Sequence, residues 1–381
     1  MTAETERRER HVGLVFGTFP PARDGGADFV GHFARALGAR GARVTVLTSA
    51  GEPARAEIAP GVVVHRLLED WRIRRGAGRL SHANALLRAE GVELLHVFFP
   101  DSVLQGRYQA PVLLRLGGIP LVTTFWNIGL GRRSPLSIKA EAAALLVRSA
   151  ALTTHDPTYL GALRRVALRR PVRWLPVGNN LGEGTGEGAD VVRARLGMAA
   201  GPLLGYFGHL DFTRGIEDLL AILLTLREGG MPAQLAMLGG SDDRREPYEA
   251  LARRLGVADA VHWVGYLPAA QLADALAALD LCVLPYRRNS IGRSALAAAL
   301  SLGVPTVVAG TAAGVQPLEP GRHIALVPRG DPAAAADVIR RLLAEPEELE
   351  RLRDGAREAA RFFEWPRIAG VALELYDDLL A

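Results

Sequence analysis

Two stretches of the 381-residue chain, one opening at Val12 and one at Leu203, run through the same order of elements. In the first, the apolar run 12–17 (VGLVFG) leads into the turn-rich loop TFPPARDGG. Phe29, Phe33 and Leu37 then repeat at helical spacing, and a second apolar run follows at 44–47. In the second, the run 203–208 (LLGYFG) gives way to HLDFTRG. Ile216, Leu219, Leu220 and Leu223 share a helix face, Gly229-Gly230 stop that helix, and a strand-like run occupies 235–238. Short apolar runs bounded by turn residues read as buried strands, and i, i+3, i+4 spacing reads as helix. A helix that crosses between two strands returns the chain so that the strands pair in parallel. Further runs at 94–99, 121–125, 261–264, 281–284 and 306–309 continue the alternation. The expected fold class is therefore α/β, with two Rossmann-like, doubly wound parallel-sheet domains. Sheets of this kind bind ligands beyond the carboxyl ends of their strands, here expected to face a shared central cleft. The stretch 181–190 (LGEGTGEGAD) is rich in glycine and acid and marks the junction, giving domains 1–182 and 183–365.

Charge and cysteine usage narrow the function classes. The 45 basic and 41 acidic residues leave a formal charge of +4, too even for a nucleic-acid footprint. Lys139 is the single lysine, so arginine must do any cationic work on an anionic ligand. No glycine-rich phosphate loop precedes Lys139, and no G-x-G-x-x-G fingerprint opens either half, which sets dinucleotide oxidoreductases aside. Cys282 stands alone in the apolar run LDLCVLPY and reads as a buried structural thiol. The nine histidines form no H-x-x-x-H pair, and no D-x-D triplet occurs, so no metal site is expected. The charged N-terminus lacks a signal-peptide pattern, and the uncharged run 294–316 is broken by Gly303, Pro305, Gly310 and Gly314. Helix, turn and buried strand fit that run better than a membrane span, and a cytoplasmic location is expected.

Three loops carry candidate chemistry. Asp24-Gly25-Gly26 lies between the first strand and the first helix, where glycines admit a ligand to backbone N–H groups. His209 and Arg214 flank the matching loop of the second half, a place that suits a diphosphate. Ser290, Gly292, Arg293 and Ser294 precede the Ala-rich helix near 295–302 and form either a second anion cradle or a simple cap by Ser294. Phe98, Phe99, Phe125 and Trp126 end first-half strands, as core or as a surface for stacking on a sugar. The stretches 71–75 and 164–173 interleave arginine with apolar residues, either as solvated faces or as contacts with an anionic membrane.

Over nearly its whole length, and most strongly over 203–310, the chain resembles the retaining glycosyltransferases of family 4. The opening FPPARDGGADFVGHFARALGARGARVTVLT looks like that family's Gly-Gly loop and helix, and GHLDFTRGIEDLL like its G-R-L-x-x-x-K-G block. VHWVGYLPAAQLADALAALDLCVLPY and ALSLGVPTVVAG resemble the next two blocks in order, and FFEWPRIAGVALELYDDLL the closing helix, 366–381, that packs back on the first domain. The resemblance implies the GT-B fold and a retaining, metal-independent transfer of a sugar from a nucleotide diphosphate donor to an acceptor hydroxyl. It implies no cofactor beyond the nucleotide-sugar co-substrate and leaves the acceptor open between an envelope glycan and a natural product. Donor contacts fall on Gly25, Gly26, Gly208, His209, Arg214, Tyr266, Ser290, Gly292, Arg293 and Ser294, with Arg214 and His209 stabilising the leaving group. Acceptor contacts fall on Asp24, Trp126 and Asn127.

The departures are specific. His209 stands where the family carries arginine, and Arg214 where it carries lysine. The two glutamates of the family's E-x7-E motif fall on Ser290 and Ala298, so both carboxylates are replaced. Trp126 stands near a family histidine often proposed to contact the donor sugar. An active transferase with rewired donor contacts and a catalytically silent partner or nucleotide-binding subunit both follow from such a pattern.

Overall fold

The computed structural model of the chain describes residues 9–22, 25–69, 71, 73–99, 118–126, 135–198, 201–240, 244–288 and 291–381. The chain divides into two compact units, Met1–Pro176 with Trp365–Ala381, and Val177–Glu364.

The first unit is built on an eight-stranded sheet. Its strands are β1 (His11–Val15), β2 (Arg43–Ser49), β3 (Arg55–Ala59), β4 (Val62–Leu68), β5 (Leu94–Phe99), β6 (Leu121–Phe125), β7 (Ala151–Thr154) and β8 (Val172–Trp174). They lie in the order β3-β4-β2-β1-β5-β6-β7-β8. Every residue of β1, β5 and β6 is buried, which is why these strands read as unbroken apolar runs rather than as an alternation. The pairings are parallel except at one edge, where β3 runs antiparallel to β4. At that edge Pro60-Gly61 turns the chain directly back, with Gly61 at φ +71°, and a hairpin needs no crossover.

Helix Gly25–Ala39 follows β1 and buries Phe29, Val30, Phe33 and Leu37. Helix Trp365–Leu380 packs beside it. Arg10 donates to Asp377 at 2.7 Å, the His32 ring stacks on Trp365 at 5.3 Å, and His96 Nδ1 meets the Tyr376 hydroxyl at 2.5 Å. The last contact belongs to a buried polar chain that continues from His96 Nε2 to Thr124 at 2.6 Å and on to Thr153. Polar groups this deep are tolerated because each has a partner.

The second unit is a six-stranded, all-parallel sheet of β9 (Leu203–Phe207), β10 (Gln234–Leu238), β11 (Val261–Gly265), β12 (Leu281–Leu284), β13 (Thr306–Ala309) and β14 (Ala325–Val327). The order β11-β10-β9-β12-β13-β14 reverses direction between β9 and β12. This is the doubly wound arrangement whose ligands sit beyond the carboxyl ends at the reversal. Helix Ile216–Glu228 buries the expected face, Ile216, Leu219, Leu220 and Leu223, and adds Ile222 and Leu226. The uncharged run 294–316 resolves into helix Ser294–Ser301, β13 and a short turn at Ala312–Gly314. The glycine-rich junction is tied into this unit: Asp274 accepts from the Thr185 N–H at 3.1 Å, the Thr185 hydroxyl at 2.6 Å and the Gly186 N–H at 3.3 Å. Among the described residues no helix is long and apolar enough to cross a membrane.

Candidate functional site

At the reversal point of the second sheet two loops leave neighbouring strands, one after β9 and one after β12. The first opens at Gly208, whose φ of +143° suits glycine, and a Cβ there would stand 3.0 Å from the Tyr206 hydroxyl. Tyr206 is buried and donates to the His209 carbonyl at 2.8 Å, fixing the start of the loop. Asp211 then organises the turn Phe212–Arg214. It accepts from the Thr213 N–H at 2.8 Å and from the Thr213 hydroxyl, and its other oxygen accepts from Arg214 Nε at 3.1 Å. This Asp-x-Thr turn is the local reason the sequence HLDFTRG leads Arg214 into the site.

The second loop is fastened to the first. The Arg287 N–H donates to the Thr213 carbonyl at 3.0 Å, and the Arg287 guanidinium forks onto Asp218 at 3.0 and 3.1 Å. Gly215 sits at φ +72°, and a Cβ on it would run into the Pro285 carbonyl. Only glycine lets the two loops approach this closely.

Between these loops the Arg214 and Arg293 guanidiniums lie over the buried ring of Tyr286, at 5.7 and 4.8 Å from its centroid. Cations so placed are held by the ring's quadrupole. Burial works against the charge of Arg214, but Tyr286, Tyr206 and Asp211 outweigh it and raise its pKa. Burial, and then the like charge of Arg214, push Arg293 the other way. Two partly desolvated cations on one ring, with the Asp211 carboxylate engaged by Arg214, favour an anion. Arg293 is also the N-cap residue of helix Ser294–Ser301, and its side chain makes no capping hydrogen bond. Ser294 is its first helical residue, so the simple-cap alternative for Ser294 is corrected: the N-cap position belongs to Arg293.

The expected donor residues therefore separate. His209, Arg214, Gly292, Arg293 and Ser294 come together at the β9/β12 end with Gly208 behind them, and the His209 side chain is exposed. Tyr266 stands after β11, at the same end of the sheet but toward its edge, and is 71% exposed. Ser290 lies outside the described residues. Ala298, in the position of a family glutamate, is only 1% exposed inside helix Ser294–Ser301. Sequence reasoning missed Tyr206, Asp211, Thr213, Tyr286 and Arg287; the Asp-x-Thr spacing before Arg214 was the available signal.

In the first unit Gly25 and Gly26 are the first two residues of helix Gly25–Ala39. Neither has a positive φ, and a Cβ on Gly25 would meet nothing within 4 Å, so the fold does not demand glycine there. Asp24 and Asn127 lie outside the described residues. Trp126 follows β6 and packs on Phe29 at 5.3 Å and on His155 at 4.4 Å, while its buried indole N–H has no hydrogen-bond partner among the described residues. His155, unremarked in the sequence, hydrogen-bonds the Leu175 carbonyl through Nδ1, which leaves Nε2 as a lone-pair acceptor without a partner among the described residues. Phe98, Phe99 and Phe125 are at most 2% exposed and belong to the core. The Cys282 thiol is buried and pushed up to about 12 by desolvation, the state of a structural cysteine.

Comparison with known proteins shows what the chain is similar to. Residues 201–345 match the family described as Glycosyl transferases group 1, and residues 23–180 match Glycosyltransferase Family 4. The chain is 29% identical to D-inositol 3-phosphate glycosyltransferase 1 of Catenulispora acidiphila, over 94% of this chain and 93% of that one. It is 25% identical to the 2-deoxystreptamine glucosyltransferase of Streptomyces kanamyceticus, over 80% and 82% of the two chains. Among solved structures it is similar to sucrose-phosphate synthase from Thermosynechococcus elongatus, with a TM-score of 0.78, 23% identity and coverage of 97% and 99%. Anabaena HepE in complex with UDP superposes with a TM-score of 0.76 at 15% identity, covering 97% of this chain and 100% of that one.

Proposed function

The chain belongs to glycosyltransferase family 4, with the GT-B fold and a nucleotide-sugar donor, and on that premise we propose how its own residues carry the transfer. The second unit holds the donor diphosphate with Arg214, Arg293 and the start of helix Ser294–Ser301. Tyr266 lies on the side of the nucleoside. The observation that carries this reading is the placement of both guanidiniums over Tyr286 at the sheet's reversal point. Two fixed cations and a row of backbone N–H groups supply the leaving-group stabilisation that other transferases take from a divalent ion, so the reaction is read as metal-independent.

The transfer is read as retaining. The bond from the anomeric carbon to the diphosphate oxygen breaks, the acceptor oxygen bonds to that carbon on the same face, and the acceptor proton passes to the departing phosphate. This route needs no carboxylate nucleophile or base, and it accommodates Ala298 in place of glutamate. The first unit carries the acceptor, with Trp126 and the segment around Asn127 and Asp24 as its contacts; a hydroxyl would satisfy the unpaired Trp126 N–H. Glycine at 25, which the fold does not demand, fits close approach of a ligand to the helix start. The relatives' names direct the choice of acceptor: inositol 3-phosphate and 2-deoxystreptamine are both polyhydroxylated rings. The complexes of HepE with UDP and UDP-glucose make UDP-sugars the first donors to assay. A single, unpaired cysteine fits a cytoplasmic setting.

The test is product analysis with UDP-glucose or UDP-N-acetylglucosamine and such acceptors, with and without EDTA. An α-linked product formed equally in EDTA is expected. A β-linked product or loss of turnover in EDTA would contradict the mechanism, and nucleotide binding without turnover on any acceptor would favour the silent-subunit reading.

A further inference from the structure

Residues 142–182 contain six arginines, at 148, 164, 165, 169, 170 and 173, against one acid, Asp156. Arg170 is the structural member of the set. Its guanidinium donates to the Ala167 carbonyl at 3.0 Å, the Val166 carbonyl at 3.2 Å, the Ser149 carbonyl at 2.9 Å and the Leu146 carbonyl. It thereby ties the end of helix Leu160–Ala167 to the end of helix Leu136–Arg148. The residues next to those carbonyls are apolar and turned out to solvent: Val147 is 79% exposed, Val166 51% and Leu168 84%. Among the described residues Leu168 is the one non-glycine residue with positive φ, at φ +57° and ψ −109°. An exposed leucine in a conformation that favours glycine, with no core contact to hold it there, is an outlier that a binding role explains. Arg164, Arg165, Arg169 and Arg173, all within five residues of it in the chain, are exposed, and none of the four forms a salt bridge among the described residues.

We propose that this corner of the first unit docks the protein onto an anionic lipid surface. Leu168, Val166 and Val147 enter the interfacial region, and the four exposed arginines meet lipid phosphates. A basic rim alone would serve any polyanion; the apolar tip inside it is what a bilayer uses and a nucleic acid does not.

The test is flotation of the full chain with neutral phosphatidylcholine vesicles and with vesicles containing phosphatidylglycerol, at about 0.1 M salt. Binding to the anionic vesicles alone is expected. Arg164→Gln, Arg165→Gln and Arg169→Gln together should weaken it on the order of a hundredfold. Leu168→Ser and Val147→Ser, which leave the charge unchanged, should each weaken it severalfold. All these positions are exposed and lie in the first unit, so thermal unfolding and nucleotide binding should match wild type. Failure of the wild-type chain to float with anionic vesicles would overturn the proposal. So would binding indifferent to both serine variants, or capture by a DNA duplex that anionic vesicles cannot compete away.

Discussion

Arg214 and Arg293 reach one aromatic ring from two different loops, their guanidiniums 5.7 and 4.8 Å from the centre of Tyr286. Like charges this close repel, and each guanidinium is partly withdrawn from water, so the pair is most stable when an anion joins it. Removing either cation should weaken a diphosphate without unfolding the unit. For Arg293→Ala the expected loss is about 1.5–3 kcal/mol of nucleoside diphosphate affinity, the worth of a hydrogen bond to a charged group. Calorimetry on the purified variant would show it; unaltered affinity would exclude Arg293 from the site.

The loop pair also depends on Gly215. A side chain there must clear the Pro285 carbonyl and adopt φ +72°. Gly215→Ala should lower unfolding stability by about 1–3 kcal/mol and depress donor binding together with it. Urea denaturation checks the first effect. A variant as stable as wild type would mean that the loops separate at no cost.

Ala298 bears on the missing carboxylates. Its side chain is 1% exposed, among Ala295, Leu296, Ala297, Ala299 and Leu300, all buried. Restoring the family pattern with Ala298→Glu should therefore place an unpaired carboxylate in a packed interior and destabilise by about 3–5 kcal/mol. A folded Ala298→Glu protein with improved donor affinity would show instead that the helix can open toward the ligand.

Two histidines set the acid limit of the first unit. Burial lowers His155 to about 4; burial and then the neighbouring His155 lower His96 to about 3. Both titrate near 6.5 in the unfolded chain. Between the two values the unfolded state takes up protons that the folded state refuses, so stability is full above about pH 6.5 and falls as the pH drops toward 4. The slope should approach about 1.4 kcal/mol per histidine per pH unit, and His155→Gln should make it shallower. Urea midpoints at neutral and mildly acid pH provide the measurement, and equal midpoints would contradict it.

The strands buried on both faces were the legible ones. Leu94–Phe99, Leu121–Phe125, Leu281–Leu284 and Thr306–Ala309 stand where their apolar runs place them, because two covered faces leave no polar alternation to blur the signal. The short edge strand Val172–Trp174 and the antiparallel Arg55–Ala59 carry arginines and a glutamate and gave no such run. His209, Arg214 and Arg293 were legible as candidates since each sits where a loop meets a helix. Tyr206 and Tyr286 were not. Both lie within or just beyond apolar runs that read as core, and their role appears only when the fold brings two arginines over Tyr286 and sets the Tyr206 hydroxyl beneath the His209 carbonyl. His155 was hidden for a related reason, since what singles it out is a buried lone pair rather than a pattern of neighbours.

In the proposed mechanism the β9/β12 loops bind a nucleoside diphosphate through Arg214. Calorimetric titration of UDP into the wild-type chain and into Arg214→Ala tests it most directly. Saturable binding by wild type, at least a tenfold loss in the variant and unchanged thermal unfolding in the absence of ligand are expected, since among the described residues the ion pair of Arg214 is the one to Asp211. Equal UDP affinity in the two proteins would contradict it.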